Sequence, residues 1–217
     1  MSPGELRTAQ RETLAAARRP YALLSRMMFG LLDLFYGRPR TLSKFKVLEL
    51  VARVPYQAWE QVGYVAMTHV SARPGFARRV FDTVLEARAQ QDNEQWHLLI
   101  IQELLLRDGV REGRLRFGVL PQLGAFLYYH ASWLLFAVDP RLSYELNADL
   151  EDHAEHEYAE FVREHPEFES RAFDSGFARD YGEFASLADV FRSISLDERR
   201  HKLESLARAR APRFGAQ

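Results

Sequence analysis

The sequence predicts an all-α protein built on a four-helix bundle, and three observations carry that reading. Glycine and proline are few, twelve and nine in 217 residues, and the long stretches between them repeat their apolar residues at helical rather than alternating spacing. Glu94 and His97 stand three apart in one such stretch, so both side chains leave the same helix face. Glu198 and His201 repeat that spacing 104 residues later. A Glu-x-x-His pair on each of two helices, with a single Glu from each of two others, is the pattern by which helical bundles hold two metal ions. Glu49, 45 residues before Glu94, and Glu151, 47 residues before Glu198, are the candidates for the single acids.

At 217 residues, with 47% hydrophobic and 12% aromatic content, the chain can bury one full core as a single domain. A net charge of −1 supplies no global field for nucleic acid, so none is expected as a partner. The absence of cysteine excludes disulfides, thiolate nucleophiles, cysteine-bound zinc and iron–sulfur clusters together. The first residues are charged and lack the short apolar core and cleavage site of a secretory signal. A prokaryotic protein facing the cytoplasm is therefore expected. The expected organisation is a polar arm over residues 1–18, one helical domain over 19–209 and a basic tail over 210–217.

In chain order, residues 1–18 are rich in Arg and Glu and read as a helical or frayed arm that adds little to the core. From Tyr21 to Tyr36 the sequence is mostly apolar, interrupted by Arg26 and Asp33 and bounded by Gly37 and Pro39. Arg18 and Arg19 precede it and Arg38, Arg40, Lys44 and Lys46 follow, as suits a helix lying in the plane of an anionic membrane surface. An ordinary core helix is the alternative. Residues 42–70 form the next helical block, with Glu49 among apolar neighbours. A buried ionised carboxylate costs several kcal/mol unless it is paired or metal-bound, and a salt bridge to Arg53 one turn on is the alternative to a metal-binding role. A block over 76–107 carries Glu94 and His97 and stops at Asp108-Gly109.

Phe117 to Val138 is a run of 22 residues without Asp, Glu, Lys or Arg, long enough by itself to cross a bilayer. Glu94 precedes it and Glu151 follows it, so a single crossing would separate two acids meant for one site. A helix lying along one leaflet is expected instead. Asp139-Pro140 opens the next helix as cap and first-turn proline. On that helix Glu151 and Tyr158 stand seven apart on one face. Glu155 is expected to share the face, and His153 and His156 to lie at a surface or interface. A loop over 166–177 leads to the last helix, which holds Glu198 and His201.

Four segments in this order, VLELVARVPY, NEQWHLLIIQEL, DPRLSYELNADLEDHAEHEYAEF and DERRH, resemble the motifs of the alternative oxidase family, most of all its plastid terminal oxidase branch. The resemblance runs from about Leu31 to His201. It implies a ferritin-like four-helix bundle with a di-iron carboxylate centre of two iron ions, plus two amphipathic helices on a membrane surface. It implies a monotopic quinol oxidase, peripheral on a prokaryotic inner membrane at the cytoplasmic face. Its substrates would be quinol and dioxygen, and its further partners a lipid surface and a second copy in a homodimer.

Carried over residue by residue, Glu49, Glu94, Glu151 and Glu198 would be iron-bound carboxylates, with His97 and His201 as direct or close ligands. Tyr158 matches the family's redox-active tyrosine, and Asn93 and Asp197 match the partners that orient ligands. Lys44, Leu48, Ala154 and Glu157 fall at positions of the substrate pocket. The chain departs from the pattern in places. Glu157 stands where relatives carry a hydroxyl residue and Glu155 where they carry an apolar one, and both would add charge beside the electron path. Lys44 replaces an arginine whose forked hydrogen bonding it does not reproduce. A di-iron oxygenase or desaturase of the same fold, acting on a lipid-like or small substrate, is the alternative activity. A non-catalytic metal-binding bundle is a third reading.

Overall fold

The computed structural model describes residues 1–70, 72–211 and 214, Val70 by its backbone alone. Of the expected basic tail, Pro212, Arg213 and residues 215–217 lie outside the described residues. No strand occurs among the described residues. Helix α1 (Pro3–Ala15) opens with a reciprocal cap. The Ser2 N–H donates to the Glu5 carboxylate at 2.7 Å while the Ser2 hydroxyl accepts the Glu5 N–H at 3.4 Å. Helix α2 (Leu23–Tyr36) stops at Gly37, whose φ of +89° favours glycine. Helix α3 (Leu42–Ala52) starts at Thr41, whose hydroxyl accepts the Lys44 N–H at 3.2 Å.

The sequence block 42–70 is broken at Arg53, and helix α4 (Val54–Val70) begins there. Pro55 causes the break, because it has no N–H to donate and its ring crowds the carbonyl four residues back. Helix α5 (Pro74–Arg107) is 34 residues long. A π-helical turn, Leu115–Val119, leads into helix α6 (Leu120–Val138). Helix α7 (Pro140–Glu164) is capped by Asp139, which accepts the Arg141 N–H at 3.0 Å. A short helix, α8 (Ala178–Tyr181), precedes α9 (Leu187–Ala209), where the Ser186 hydroxyl accepts the Asp189 N–H at 3.2 Å.

Helices α3, α5, α7 and α9 form the bundle, α7 packing along α9 and α3 along α5. Phe45 and Leu48 of α3, Ile101 of α5, Leu150 and Tyr158 of α7 and Phe191 of α9 belong to one buried cluster. Burial of each such side chain contributes about 1.5–3 kcal/mol. Outside the bundle, α2 and α6 expose apolar residues: Leu23 and Leu34 are 72% and 73% exposed, Leu127 and Val138 61% and 75%. Among the described residues no helix is long and apolar enough to cross a membrane, which sets aside the crossing option for residues 117–138.

The N-terminal segment is helical, one of the two forms expected, but it is docked on the bundle where little contribution to the core was expected. Helix α1 packs on α9 and α7, burying Leu6 and Thr13. The Thr13 hydroxyl donates to Glu155 at 2.7 Å, and Arg199 donates to the Ala9 carbonyl at 2.8 Å. Docking through ion pairs and hydrogen bonds leaves little apolar periodicity, which is why the pattern gave no sign of it.

Candidate metal centre

The four acids and two histidines singled out in the sequence meet inside the bundle. Glu49 comes from α3, Glu94 and His97 from α5, Glu151 from α7, and Glu198 and His201 from α9. All six are at most 1% exposed. They form two overlapping cages, Glu49, Glu94, His97 and Glu198 in one and Glu94, Glu151, Glu198 and His201 in the other. Within each cage the ligand atoms lie within 4.8 Å of one another. Glu94 and Glu198 belong to both cages, as acids that bridge two ions would.

Both histidines face the acids through Nδ1. His97 Nδ1 is 3.2 Å from Glu49 Oε2 and 3.2 Å from Glu198 Oε1, and His201 Nδ1 is 2.7 Å from Glu94 Oε1. The other ring nitrogen of His97 lies 3.3 Å from Asp197 Oδ2. A metal-binding histidine characteristically donates its second N–H to a carboxylate in this way. Asn93 reaches the same Asp197 oxygen at 3.4 Å, and so does the Tyr181 hydroxyl at 2.8 Å, while Arg200 holds Asp197 Oδ1 at 2.6 Å.

Two tyrosines complete the core of the site. The Tyr158 hydroxyl donates to Glu49 Oε1, and its ring stacks on Phe45 at 4.2 Å. The Tyr56 hydroxyl donates to Glu151 Oε1 at 2.6 Å. The sequence reading missed Tyr56. It stands seven residues after Glu49, as Tyr158 stands seven after Glu151, and each tyrosine crosses the bundle to the other's acid. That repeated spacing was the available signal. Tyr181 was also missed, because α8 is four residues long and carries no periodic pattern.

The site is short of positive charge. Burial pushes Glu49 up to about 8 against the pull of His97. Burial, then the charges of Glu94, Glu49 and Glu151, push Glu198 well above the ordinary carboxylate range, and burial with Glu94 raises Glu151. Burial works the same way on Glu94, yet His201 and His97 beside its oxygens outweigh it and hold that acid low. Burial and the nearby carboxylates raise Tyr158 and Tyr56 well above the ordinary phenol value, keeping both as hydrogen-bond donors.

Apart from the histidine–carboxylate approaches just given, both oxygens of Glu94 and of Glu198, Oε2 of Glu151 and Nδ1 of His201 are buried without a hydrogen-bond partner. Such orphaned groups are costly unless something outside the protein satisfies them. Two divalent cations would balance four carboxylates and use those atoms, so the residues fit a pair of bound metal ions. Carboxylate and imidazole donors suit iron, manganese or zinc.

A third group of candidate ligands, Asp152, Glu155 and His156, is already neutralised from within. Lys202 lies 3.0 Å from Asp152 and also bonds Glu155, and Arg199 holds Glu155 at 2.9 Å. Glu155 therefore does not share the metal-facing side of α7, correcting the sequence reading. Glu157 likewise turns away, to Arg18 at 2.8 Å and Arg40 at 3.1 Å. Neither acid adds net charge beside Tyr158. His153 and His156 are not surface residues. The ring of His153 stacks on Phe29 at 4.0 Å, and His156, 5% exposed, has its Nδ1 2.8 Å from the Asp152 carbonyl. Glu49 is not paired with Arg53, which donates to Gln95 at 2.6 Å instead.

Between α2 and α6 runs an apolar groove of about 870 Å³, lined by Leu31, Phe35, Leu127 and Leu134 and floored by Leu48 and Leu150. Leu48 and Leu150 each stand one residue before a metal-facing acid, Glu49 on α3 and Glu151 on α7. Of the four residues expected at a substrate pocket, Leu48 is the one that lines this groove among the described residues. Lys44 pairs with Asp33 at 2.6 Å, Ala154 is 1% exposed in the core, and Glu157 is held by its arginines.

A family model described as "Alternative oxidase" matches residues 12–207. The chain is also similar to "Ubiquinol oxidase 4, chloroplastic/chromoplastic" of Arabidopsis thaliana, with 34% identity over 140 residues. That match covers 64% of this chain and 36% of the plant protein, so the matched stretch spans little more than a third of the relative's length.

Proposed function

The chain belongs to the alternative oxidase family, and on that premise we propose that it is a membrane-associated di-iron quinol:oxygen oxidoreductase. It oxidises two quinols and reduces dioxygen to two waters, without pumping protons. The observation that carries this reading is the pair of overlapping Glu/His cages, whose shared acids Glu94 and Glu198 are buried and, among the described residues, meet no cation but the two histidines. The relative with a matching stretch is a ubiquinol oxidase by its name, which supports the choice of substrate class.

When bound, the two irons supply the electron storage and the Lewis acidity that dioxygen reduction needs. The protein's own part is to hold them and to manage protons. Glu49, Glu94, Glu151, Glu198 and the Nδ1 atoms of His97 and His201 would be the donors. Asp197 and Asn93 fix the ring of His97. Tyr158 stands with its hydroxyl on Glu49 Oε1, so a proton leaving that phenol has a carboxylate to receive it in a site from which water is excluded. Both quinols bring their own protons with their electrons, so the overall reaction closes without a supply from solvent.

The exposed apolar sides of α2 and α6 support binding to one leaflet, and the groove between them supports lateral entry of a lipid-soluble quinol. Arg26 lies on α2 and Arg38 just beyond its end, favouring an anionic surface such as the cytoplasmic face of a prokaryotic inner membrane. Binding to anionic vesicles that weakens about tenfold or more in Leu31→Glu or Leu127→Glu is the expected result, each variant losing an apolar contact of roughly 1.5–3 kcal/mol. The same apolar groove would accept a lipid-like substrate of an oxygenase, so the decisive test is the product. Protein loaded anaerobically with ferrous iron should consume one dioxygen per two quinols and place all the oxygen in water. Labelled oxygen appearing in an organic product would favour the oxygenase reading and contradict the oxidase.

A further inference from the structure

The two acids at the ends of the metal centre are held differently. Glu49 has one oxygen on Tyr158 and the other 3.2 Å from His97 Nδ1. Glu151 has its two oxygens in opposite conditions. Oε1 receives the Tyr56 hydroxyl at 2.6 Å and the Asn147 side-chain N–H at 3.0 Å, whereas Oε2 is buried with no hydrogen bond at all. Two donors occupy the two lone pairs that a carboxylate oxygen offers.

Asn147 has three acceptors around the two hydrogens of its Nδ2, and its Oδ1 is buried without a hydrogen bond. Its Nδ2 also lies 3.0 Å from the Tyr56 oxygen and 3.0 Å from Ser205 Oγ, which ties α7 to α4 and α9. An amide turned the other way would set its carbonyl oxygen against the carboxylate. The three residues Tyr56, Asn147 and Ser205 are buried and make one connected polar network that meets the metal centre at Glu151 Oε1 and at the edge of His201, whose ring is 5.8 Å from that of Tyr56.

We propose that Tyr56, Asn147 and Ser205 are positioning residues that commit Oε1 of Glu151 to hydrogen bonding and reserve Oε2 for the metal. The ion on the Glu151 and His201 side is then held by a single oxygen of this acid and keeps a coordination position for a small exogenous ligand. A carboxylate free to rotate would chelate with both oxygens and close that position. The assignment rests on the metal-binding reading above.

The test is manganese(II) binding by the full chain, followed as the number and affinity of ions bound, with a structure of the manganese-loaded protein. Wild type should bind two ions, with Glu151 ligating through Oε2 alone. Tyr56→Phe should weaken one of the two ions by roughly 10–100-fold, the usual cost of losing an outer partner, and leave the other unchanged. Ser205→Ala should act on the same ion by less, and carries the test if Tyr56→Phe does not fold. Equal weakening of both ions, no change in either variant, or chelation by both Glu151 oxygens in wild type would overturn the assignment alone. A wild-type chain that takes up no manganese would overturn the metal reading, and this assignment with it.

Discussion

Helix α7 carries acids on two faces, and the two faces are neutralised in opposite ways. On the outer face Asp149 meets Arg19 at 3.1 Å, Asp152 meets Lys202 at 3.0 Å, Glu155 meets Arg199 at 2.9 Å, and Glu157 meets Arg18 at 2.8 Å. On the inner face Glu151 joins Glu49, Glu94 and Glu198, and none of these four acids pairs with a lysine or arginine among the described residues. Both groups are buried, and a buried carboxylate needs a compensating charge or donors. The outer acids obtain it from the chain and serve to dock α1 and the segment after it. The inner acids have two histidines and a set of unused oxygens. Acid density alone therefore does not mark a metal site; a buried acid cluster that, among the described residues, meets no lysine or arginine does.

Substitutions can break that contrast directly. Glu94→Ala or Glu198→Ala removes an acid common to both cages and should abolish metal binding and oxygen uptake together, by more than the roughly 100-fold that follows loss of an outer partner. Metal analysis beside an oxygen electrode reads both. Tyr158→Phe should keep two ions and lose quinol-dependent oxygen uptake by about 100-fold or more, the scale of a lost proton-transfer group. Retained turnover there would remove Tyr158 from the chemistry.

Metal removal sharpens the same contrast at the level of stability. Chelation should lower the unfolding free energy by about 2.7 kcal/mol for each ion removed, relative to protein held at a metal concentration of roughly 100 times Kd. Outer-face variants should leave that difference unchanged. The smallest effect belongs to the outer face itself. Glu157→Gln should cost on the order of 1 kcal/mol at neutral pH, since charge-assisted bonds to Arg18 and Arg40 become weaker ones. Burial alone would raise Glu157, but His153 and the two arginines hold it below the ordinary carboxylate range. Its stabilisation is therefore present above an unfolded value of roughly 4.3 and disappears as the pH falls through the lower folded value. Thermal unfolding of the variant and wild type at neutral pH and at about pH 3 should converge at the acid end.

Much of this was legible in the sequence where a repeat enforces it. The two Glu-x-x-His pairs and the two single acids are placed by helical periodicity, and the structure brings all six side chains to one point. The charge-free run before Val138 was legible as a helix, and among the described residues no helix is long and apolar enough to cross a membrane. The outer face of α7 did not read, because Arg18, Arg40, Arg199 and Lys202 reach Glu155 and Glu157 from segments distant in sequence, and long-range ion pairs leave no local pattern. The same reason hid the docking of α1. Tyr56 was hidden by Pro55, which breaks the helix between Glu49 and the tyrosine and masks a spacing the chain repeats elsewhere.

The most direct test of the central claim is an anaerobic titration of the purified chain with ferrous iron, counting ions bound tightly per polypeptide. Two ions should bind, both lost in Glu94→Ala and both retained in Glu155→Gln. Fewer than two in wild type, or an equal loss in the Glu155 variant, would contradict it.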